Sequence, residues 1–471
     1  MTMMDFKSLL NKYDFINKAS LLAKSRNEKL YLIGGFVRDI FLERDRTEMD
    51  FLIIGDGPEY AGQLSALLGV KEISIFKNFG TAHFNYKNLA LEFVGARKES
   101  YSPGSRNPKV EIGTLDDDIN RRDFTMNTLA VSLNENDFGT LIDKFNGLVD
   151  IEQKIIRTPL DPQRTFDDDP LRIMRAFRFA SQLNFQLDIS LIEAAGSMAD
   201  RLAIVSQERI TDEFMKILAS PKPSVGLIQL FECGVMKVVF PEIHNLAGVD
   251  QRQDYHHKDV FYHTCIVVDN ISGVTDNVWL RFAALVHDIA KPHTKRFIDG
   301  TGWTFHGHEE LGARLMKKIF MRMKLPLTKL EYIEKLIRLH LRPIALVDEE
   351  VTDSAIRRLI VAADEDLDDL ITLCRADITS KNPSKVSRYL ENYEIVMGKV
   401  KDVRERDQLR AFQSPVRGEE IMSICNIQPS RLVGEIKSAI EEAILDGKIG
   451  NNYEEALDYL MKIKDEFLLK A

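Results

Sequence analysis

The stretch "LIGGFVRDIFLERDRTEMDFLIIGDG", which runs from Leu32 to Gly57, decides the fold of the N-terminal part of the chain. Two glycines and an Arg-Asp pair come before the acidic trio Glu48-Met49-Asp50, and an apolar run follows the trio. Residues two apart on a strand point to the same face and lie about 6.6 Å apart along it, so Glu48 and Asp50 project together. Two explanations are open: a phosphate-handling site with a metal at the strand, or an ordinary turn before a buried strand.

The chemistry of these residues suits the first explanation. Two converging carboxylates are costly unless a cation lies between them, and hard oxygen ligands suit Mg²⁺. Upstream, Gly34 and Gly35 let backbone amides approach phosphate oxygens, and a helix that starts near Val37 adds its positive end. Arg38 supplies a charged fork for the same phosphates. Each feature alone is weak, because a glycine pair is most often a turn and an acid pair at a strand start is most often solvated.

Length and composition set the class of protein. At 471 residues the chain exceeds the size at which a single core stops growing, so we expect two to four domains. It is 44% hydrophobic and 29% charged, has no apolar run long enough to span a membrane, and has no apolar signal core at its N-terminus. The four cysteines lack CxxC spacing, which argues against a disulfide framework and a cysteine zinc site. We therefore expect a cytoplasmic protein with no membrane partner.

The net charge of −9 argues weakly against a polyanionic partner, but the charge is unevenly distributed. Between Ala313 and Pro343 there are nine lysines and arginines and two acids, which gives a local excess of +7. Such a stretch either attracts phosphates or is a solvated helix face, and charge alone does not separate the two.

The periodicity of the sequence changes along the chain. Up to about residue 150, short β-rich runs such as "LYLIGGF", "DFLIIG", "TAHFNY" and "LALEFVGA" alternate with helical segments. From Asp168 onward helical periodicity dominates, with turn clusters that predict boundaries near residues 225 and 400. The fold class predicted is α+β, a mixed sheet with helices followed by an all-α part.

Further motifs follow the opening stretch in order: "NFGTAHF" (Asn78 to Phe84), "LEFVGARKESY" (Leu91 to Tyr101) and "INRRDFTMNTLA". With the GG-x-V-R-D and acid-x-acid patterns, they resemble nucleotidyltransferases of the polymerase β superfamily. More closely, they resemble class II tRNA nucleotidyltransferases (CCA-adding enzymes) and the related bacterial poly(A) polymerases. The resemblance covers about 220 residues of the N-terminal half and implies a polymerase β-like catalytic head.

The resemblance assigns roles to residues of the head. It implies catalytic carboxylates at Glu48, Asp50 and Glu92, with Mg²⁺ on Glu48 and Asp50. It also implies contacts to the sugar and phosphates of the incoming nucleotide from Gly34, Gly35, Arg38, Arg121, Arg122, Asp123 and Asn127. The family pattern has Asp at both acidic positions, whereas this chain has Glu48 at the first. Because a shift of about 1 Å in a reacting group can cost on the order of 100-fold in rate, this change leaves open an altered metal preference or a weaker enzyme.

The stretch "FDDDPLRIMRAFRF" predicts a capped helix with Asp169 at the N-cap and Pro170 at the first helical position. Asp169 and Arg172 share a face, and taken alone they predict a cap with an ion pair. The stretch also resembles the base-reading E/D-D-x-x-R motif of the family at Asp168, Asp169 and Arg172, with Arg175 as a further nucleotide contact. A carboxylate beside a guanidinium matches the amine and acceptor nitrogen of cytosine and adenine, and it opposes the reversed pattern of guanine and uracil. "SQERITDEFMKIL" resembles the supporting helix of the family, with Glu208, Arg209 and Glu213 beside the nucleotide pocket.

Seven of the ten histidines lie between His256 and His308. A lone histidine is more often a surface or packed residue than a ligand, but the His287-Asp288 doublet follows an apolar helical run, where burial is costly without a metal or partners. The series resembles an HD domain, whose pattern is H…HD…D. That resemblance implies a ligand set of His263, His287, Asp288 and Asp377, with His308 and His340 where a second metal is held. Imidazoles with carboxylates suit Mn, Fe, Ni or Zn, and such a site hydrolyses phosphate esters or is structural.

The resemblance as a whole predicts four regions. These are a nucleotidyltransferase head at 1–150, a helical neck at 151–225, a helical HD-type body at 226–400 and a helical RNA-binding tail at 401–471. The implied enzyme adds C and A to tRNA 3′ ends from CTP and ATP, and it grips tRNA through phosphates and A-form shape. The alternatives within the family are a poly(A) polymerase, an A-adding enzyme and a CC-adding enzyme. From another class, the chain could be an HD phosphohydrolase with a catalytically weak head, or an RNA-binding protein with two degenerate sites.

Overall fold

The structure is a computed structural model that describes residues 5–76, 80–100, 109–249, 259–300, 302–348, 352–380, 382–407 and 414–469. The chain divides into two compact units, residues 1–240 and 241–471. The first contains a mixed sheet with helices and the second is almost entirely helical, which confirms the α+β prediction.

Eleven strands are described in the first unit and two in the second. They are β1 Lys29–Ile33, β2 Glu48–Ile54, β3 Ser74–Phe76, β4 Thr81–Tyr86, β5 Leu89–Gly95, β6 Arg97–Ser100, β7 Lys109–Ile112, β8 Ala130–Ser132, β9 Leu141–Ile142, β10 Ile155–Ile156, β11 Gln186–Leu187, β12 Arg296–Ile298 and β13 Gly302–Thr304.

The helices described in the first unit are α1 Phe6–Leu10, α2 Ile16–Ser25, α3 Gly35–Phe41, α4 Gly57–Leu67, α5 Leu115–Asn120, α6 Gly147–Gln153, α7 Pro162–Asp168, α8 Leu171–Leu183, α9 Ile189–Ser197, α10 Gln207–Leu218, α11 Pro223–Glu232 and α12 Val235–Val239. Those described in the second unit are α13 Pro241–His244, α14 Val260–Ser272, α15 Val278–Val286, α16 Lys291–Thr294, α17 His308–Met323, α18 Leu330–Leu339, α19 Arg342–Asp348, α20 Asp353–Ala363, α21 Leu367–Ala376, α22 Pro383–Asp407, α23 Gly418–Cys425, α24 Arg431–Leu445 and α25 Tyr453–Leu469.

The main sheet has seven strands in the order β3-β4-β5-β2-β1-β8-β9. β2 pairs in parallel with β5 and antiparallel with β1, so the strand that carries the acidic trio lies near the centre of the sheet. Its apolar residues other than Ile54 are fully buried, and Phe51 stacks on Phe93 of β5 with ring centroids 4.7 Å apart. Burial on both sides of the strand fixes its register, because a slip of one residue would turn the acids into the core.

The strand predictions for β1, β2, β4 and β5 are confirmed. Within the two predicted motifs of this region, Asn78, Phe79 and Tyr101 lie outside the described residues, as do His256 and His257. The four cysteines are all free, as their spacing predicts. No helix in the described part of the chain combines the length and the apolar character that a membrane span requires.

The basic stretch in α17 and α18 is less charged than its sequence predicts. Four of its nine cations form ion pairs, two of them with Glu310 and one each with Glu242 and Asp366. These acids lie outside the interval from Ala313 to Pro343, so a count along the sequence misses them. The remaining exposed cations include Lys317, Lys318, Lys324 and Lys329.

Candidate functional site

Three carboxylates meet on β2 and β5 in the first unit. Asp50 lies directly opposite Glu92 across the two parallel strands, and Glu48 is two residues before Asp50 on the same face. Glu48 and Glu92 are exposed, whereas Asp50 is partly buried at the end of β1, opposite Ile33. The structure thus brings the three predicted catalytic residues together on one face of the sheet.

The electrostatics of this cluster fit a hard divalent cation. Burial raises the pKa of the Asp50 carboxyl to about 6, and the charges of Glu92 and Glu48 add to this effect while Arg122 opposes it. A carboxylate that is reluctant to ionise beside two others is stabilised by a cation between them. Oxygen ligands of this kind suit Mg²⁺, so Glu48, Asp50 and Glu92 fit the predicted metal.

Gly34 lies directly above the carboxylates, between β1 and α3. Its φ of +76° is a conformation that glycine adopts without strain, and a Cβ at this position would lie 3.0 Å from Arg122 Nη1 and 3.3 Å from Asp50 Oδ2. The Gly34 amide donates to the Leu129 carbonyl at 3.1 Å. Because Gly34 has no Cβ, its backbone can approach Asp50 and Arg122 closely. Gly35 begins the first turn of α3. The amides of a first helical turn have no acceptor within their own helix.

Arg38 is held rigidly on α3. Its guanidinium makes two hydrogen bonds to Asp39, at 2.8 and 3.0 Å, and one to Asn127 Oδ1 at 2.8 Å. Asn127 in turn donates to Asp123 Oδ1 at 2.9 Å, and Arg175 donates to Asp123 Oδ2 through Nε at 2.8 Å and Nη2 at 2.6 Å. This chain of contacts, Asp39–Arg38–Asn127–Asp123–Arg175, connects α3 to α8, and we call it the arginine network.

Residues that the sequence patterns do not single out support the arginine network and the neighbouring Arg121 and Arg122. The Phe179 ring lies 5.1 Å from the Arg38 guanidinium carbon, and Arg178 lies over the same ring at 4.0 Å. The fully buried Asp118 pairs with both Arg121 and Arg122. Burial would raise the pKa of Asp118, but the two guanidiniums hold it below its usual range.

Replacing Asp123 by asparagine is expected to destabilise the first unit by about 2 to 4 kcal/mol, because Arg175 and Asn127 would lose a buried anionic acceptor. Although burial opposes ionisation, Arg175 holds the pKa of Asp123 below its usual range. The depressed pKa means that the stabilisation is present above about pH 4 and is lost as the pH falls further. Thermal unfolding at pH 7 measures the effect, with Asp14→Asn as the control, because Asp14 forms an exposed ion pair with Lys87. An equal, small shift in both variants would contradict a structural role for the network.

The predicted base-reading pair lies at the junction of α7 and α8. Asp169 sits one residue before the N-cap, Pro170, rather than at the N-cap as the sequence predicts. The reason is local: the residue before a proline prefers an extended backbone, and Asp169 has φ −146° and ψ 100°. Its Oδ1 accepts from the Leu171 amide at 3.2 Å, a capping contact.

Asp169 and Arg172 do not neutralise each other. Within the described part of the chain the ionic partner of Asp169 is Arg209, at 3.8 Å, and Arg172 donates instead to the carbonyls of Arg121, at 2.5 Å, and Thr165, at 3.3 Å. The ion pair that the i,i+3 spacing predicts is therefore absent, and both side chains are only partly buried. Arg209 belongs to α10, where Glu213 pairs with Arg178 at 2.5 Å.

In the second unit, the six residues of the predicted HD ligand set form one largely buried cluster, in which His263 and Asp377 are partly exposed. His263 Nε2 lies 2.9 Å from Asp377 Oδ1, and His287 Nε2 lies 3.2 Å from Asp288 Oδ2. Asp288 Oδ1 is also 3.3 Å from His308 Nε2. Two groups could each hold a metal ion, and both include Asp288: His263 with His287 and Asp288, and Asp288 with His308 and His340.

Every imidazole in the cluster is oriented by a contact at its Nδ1 atom. His287, His308 and His340 place Nδ1 2.6 to 2.8 Å from the carbonyl three residues earlier, and His263 uses the Thr379 hydroxyl at 2.8 Å. This arrangement turns the four Nε2 atoms inward, as metal-binding histidines require. His287 Nε2 is buried and makes no hydrogen bond of acceptable geometry within the described structure. The residues therefore fit a transition metal.

The charges in the cluster also favour a cation. Burial would lower the pKa of His287, but Asp288 and Asp377 raise it to about 10. Burial and the neighbouring His287 lower the pKa of His340 to about 4. Although burial opposes ionisation of Asp288 and Asp377, the neighbouring His287 holds the pKa values of both carboxyls well below their usual range.

The purified protein is expected to contain a transition metal that a chelator removes, with a fall in the melting temperature, because a ligand that binds only the folded state stabilises it. Asp288→Asn is expected to lose this metal, since Asp288 belongs to both ligand groups. Elemental analysis and thermal unfolding measure the two effects. His293→Ala is the control, because His293 is exposed five residues further along the chain. Equal metal content in the wild type and Asp288→Asn would contradict the assignment.

Comparison with protein families follows the same division. Residues 30–157 match the Poly A polymerase head domain, and residues 184–246 match the family described as "Probable RNA and SrmB- binding site of polymerase A". Residues 260–380 match the HD domain family and include all six residues of the buried cluster.

Two curated proteins are similar to this chain in sequence. The "Multifunctional CCA protein" of Shewanella frigidimarina is 33% identical over 310 residues, covering 63% of this chain and 70% of that protein. The "A-adding tRNA nucleotidyltransferase" of Deinococcus radiodurans is 31% identical over 349 residues, covering 72% and 77%.

Solved structures share the fold. The CCA-adding enzyme of Bacillus stearothermophilus, in complex with CTP, has a TM-score of 0.67 at 23% identity, covering 98% of this chain and 99% of that one. A tRNA nucleotidyltransferase complexed with a primer tRNA and an incoming ATP analog has a TM-score of 0.59 at 24% identity, covering 82% and 99%.

Proposed function

The chain belongs to the family of CCA-adding and A-adding tRNA nucleotidyltransferases, and from this premise we propose that it adds C and A to tRNA 3′ ends from CTP and ATP. The observation that carries the proposal is the convergence of Glu48, Asp50 and Glu92 beside the arginine network. The proposed substrate places the enzyme in the cytoplasm. The four regions with boundaries at 150, 225 and 400 remain our proposal for its domains.

In the proposed mechanism, Glu48 and Asp50 hold Mg²⁺, with Glu92 beside them. The metal, when bound, lowers the pKa of the attacking hydroxyl and neutralises the leaving pyrophosphate. Arg38 and the Gly34-Gly35 backbone bind the triphosphate, together with Arg121, Arg122 and Arg175. These groups are held before substrate arrives, so little reorganisation is needed in the reaction.

Selection of the base is assigned to Asp169 and Arg172. Because these side chains do not pair with each other, each retains hydrogen-bonding capacity toward a base edge. The carboxylate accepts from the exocyclic amine of cytosine or adenine, and the guanidinium donates to the neighbouring ring nitrogen. Asp123 and Asn127 hold the arginine network and so act as positioning residues.

Transcripts of tRNA that end before CCA, after C and after CC test the proposal, each incubated with Mg²⁺ and with single or mixed nucleotides. Sequencing of the product ends is expected to give complete CCA on the shortest transcript. Addition of A only to the CC-ended transcript would make this an A-adding enzyme, and long A tails would make it a poly(A) polymerase. No extension with any nucleotide would overturn the transferase proposal and favour a phosphohydrolase with a weak head.

We propose a second activity, hydrolysis of phosphate esters, for the HD cluster of the second unit. The supporting observation is the complete ligand set with its inward-facing Nε2 atoms. Mn, Fe, Ni or Zn bound there would supply an activated water. Hydrolysis of p-nitrophenyl phosphate after reconstitution with each metal tests the proposal, and Asp288→Asn is expected to abolish it while Asp50→Asn retains it. No hydrolysis with any of the four metals would make the cluster structural.

A further inference from the structure

The segment between the two groups of HD ligands carries an aromatic surface that neither proposed activity uses. This segment follows Asp288 through α16, forms the β12–β13 hairpin and ends at His308. Phe297 is 46% exposed and Trp303 is 37% exposed, so both rings are accessible to a partner.

The aromatic side chains share one face of the hairpin. Phe297 and Trp303 are direct cross-strand partners, with ring centroids 5.2 Å apart. Continued alternation places the Lys295 side chain, just before β12, on this face, and Phe305 follows β13 two residues after Trp303. The Lys295 ammonium nitrogen is 4.5 Å from the Trp303 ring centroid, as this placement requires. We call these four residues the hairpin face.

The hairpin face continues to the HD ligands. The Lys291 ammonium nitrogen lies 5.6 Å from the Phe305 ring and donates to Asp288 Oδ2 at 2.6 Å. The Phe305 carbonyl lies 2.7 Å from His308 Nδ1 and so orients a ligand. Trp303 is five residues before His308, so the two lie within about 18 Å of each other even if the chain between them is fully extended.

Aromatic rings flanked by cations are the features that bind unpaired nucleic acid, since bases stack on the rings and phosphates approach the cations. From Lys291 to Gly307 the segment has three lysines and arginines and one acid, Asp299. A mononucleotide with its phosphate at the HD ligands would leave Lys295 without an anion. A strand with further phosphates supplies one, which favours an oligonucleotide.

We propose that the hairpin face binds unpaired bases at the end of an RNA strand and directs the terminal phosphate toward Asp288 and its neighbouring ligands. The proposal rests on the phosphohydrolase function proposed above for the HD cluster. Phe297 and Trp303 provide the stacking surface, and Lys295 neutralises a phosphate of the strand. The hairpin thereby selects RNA ends over small phosphate esters.

Tryptophan fluorescence tests the binding without any need for hydrolysis. The chain has two tryptophans, Trp279 and Trp303, so Trp279→Phe leaves Trp303 as the reporter. Titration of this protein, with chelator present, is expected to give saturable quenching by an unstructured RNA hexamer. An abasic hexamer and AMP are expected to bind at least about 10-fold more weakly, since one base stack contributes on that scale.

A matched pair of substitutions in the same background assigns the binding to one face of the hairpin. Phe297→Ala is expected to weaken hexamer binding by about 10-fold. Ile298→Ala is expected to change it less than about twofold, because Ile298 is equally exposed, at 45%, but points to the opposite face.

Three results would overturn the proposal: no quenching by the hexamer, equal affinity for the abasic hexamer, or equal effects of the two substitutions. Self-association of the protein that Phe297→Ala abolishes and RNA does not compete with would assign the face to a second copy instead. Hydrolysis of p-nitrophenyl phosphate without hexamer quenching would contradict the hairpin proposal alone. Quenching without hydrolysis would contradict the phosphohydrolase proposal alone.

Discussion

Asp50→Asn is expected to lower the rate of nucleotidyl transfer by on the order of 1,000-fold or more, while the protein unfolds at a higher temperature than the wild type. The rate falls because an amide cannot replace the anionic oxygen that would hold the cation. The stability rises because burial and the neighbouring Glu92 and Glu48 raise the pKa of Asp50 to about 6, so at pH 7 the ionised carboxylate destabilises the folded state.

Single-turnover extension of a tRNA transcript with CTP measures the rate, and a thermal melt measures the stability. Glu135→Gln is the matched control, because Glu135 is an exposed carboxylate of the same unit, paired with Lys24. The control is expected to retain the wild-type rate. A wild-type rate in Asp50→Asn would remove Asp50 from catalysis, and a lost rate with a lower melting temperature would indicate simple unfolding.

Asp169→Ala is expected to remove base selection, so that the preference for CTP and ATP over GTP and UTP falls by about 100-fold or more. The physical reason is that rejection of guanine and uracil depends on opposing a carboxylate to a carbonyl oxygen. Without the carboxylate, that repulsion disappears while the triphosphate contacts of Arg38 remain. The ratios of kcat/KM for the four nucleotides on one transcript measure the effect.

Asp167→Ala is the control for base selection. Asp167 lies two residues earlier on α7, where it forms an ion pair with Arg201 and is exposed. Its substitution is expected to leave the four ratios unchanged. If Asp169→Ala reduced all four nucleotides by the same factor, Asp169 would support the fold of the α7–α8 junction rather than read the base.

The parts of the protein that could be predicted from its sequence are those set by local periodicity. The placement of Asp50 and Glu48 on one strand face follows from alternation, and the buried run after them identifies a central strand. The six residues of the HD pattern could be predicted because their spacing resembles that of a known family, and the structure brings all six together. Residue chemistry alone left a solvated alternative open in each case.

Contacts between distant residues could not be predicted. Asp118 holds Arg121 and Arg122, but an acid within a capped helix start gives no signal of such a role. Phe179 was one more apolar residue of an amphipathic helix until the fold placed Arg38 over its ring. The charge of α17 and α18 was overestimated because the acids that neutralise it, such as Glu242, are far away in sequence.

The aromatic hairpin shows the same limit. Its sequence, "RFIDGTGWTF", contains turn residues, which predict a break between helical segments and no binding surface. Cross-strand pairing of Phe297 with Trp303 is what makes it a surface, and that pairing depends on a short register that turn composition does not specify.

The most direct test of the central proposal is a single extension reaction with all four nucleotides present in equal amounts. A tRNA transcript that lacks CCA is incubated with the protein and Mg²⁺, and the 3′ ends of the products are sequenced. We predict that C, C and A are added in that order, that addition then stops, and that G and U are absent. No extension, or incorporation of G or U at the frequency of C and A, would contradict a protein-directed nucleotidyltransferase.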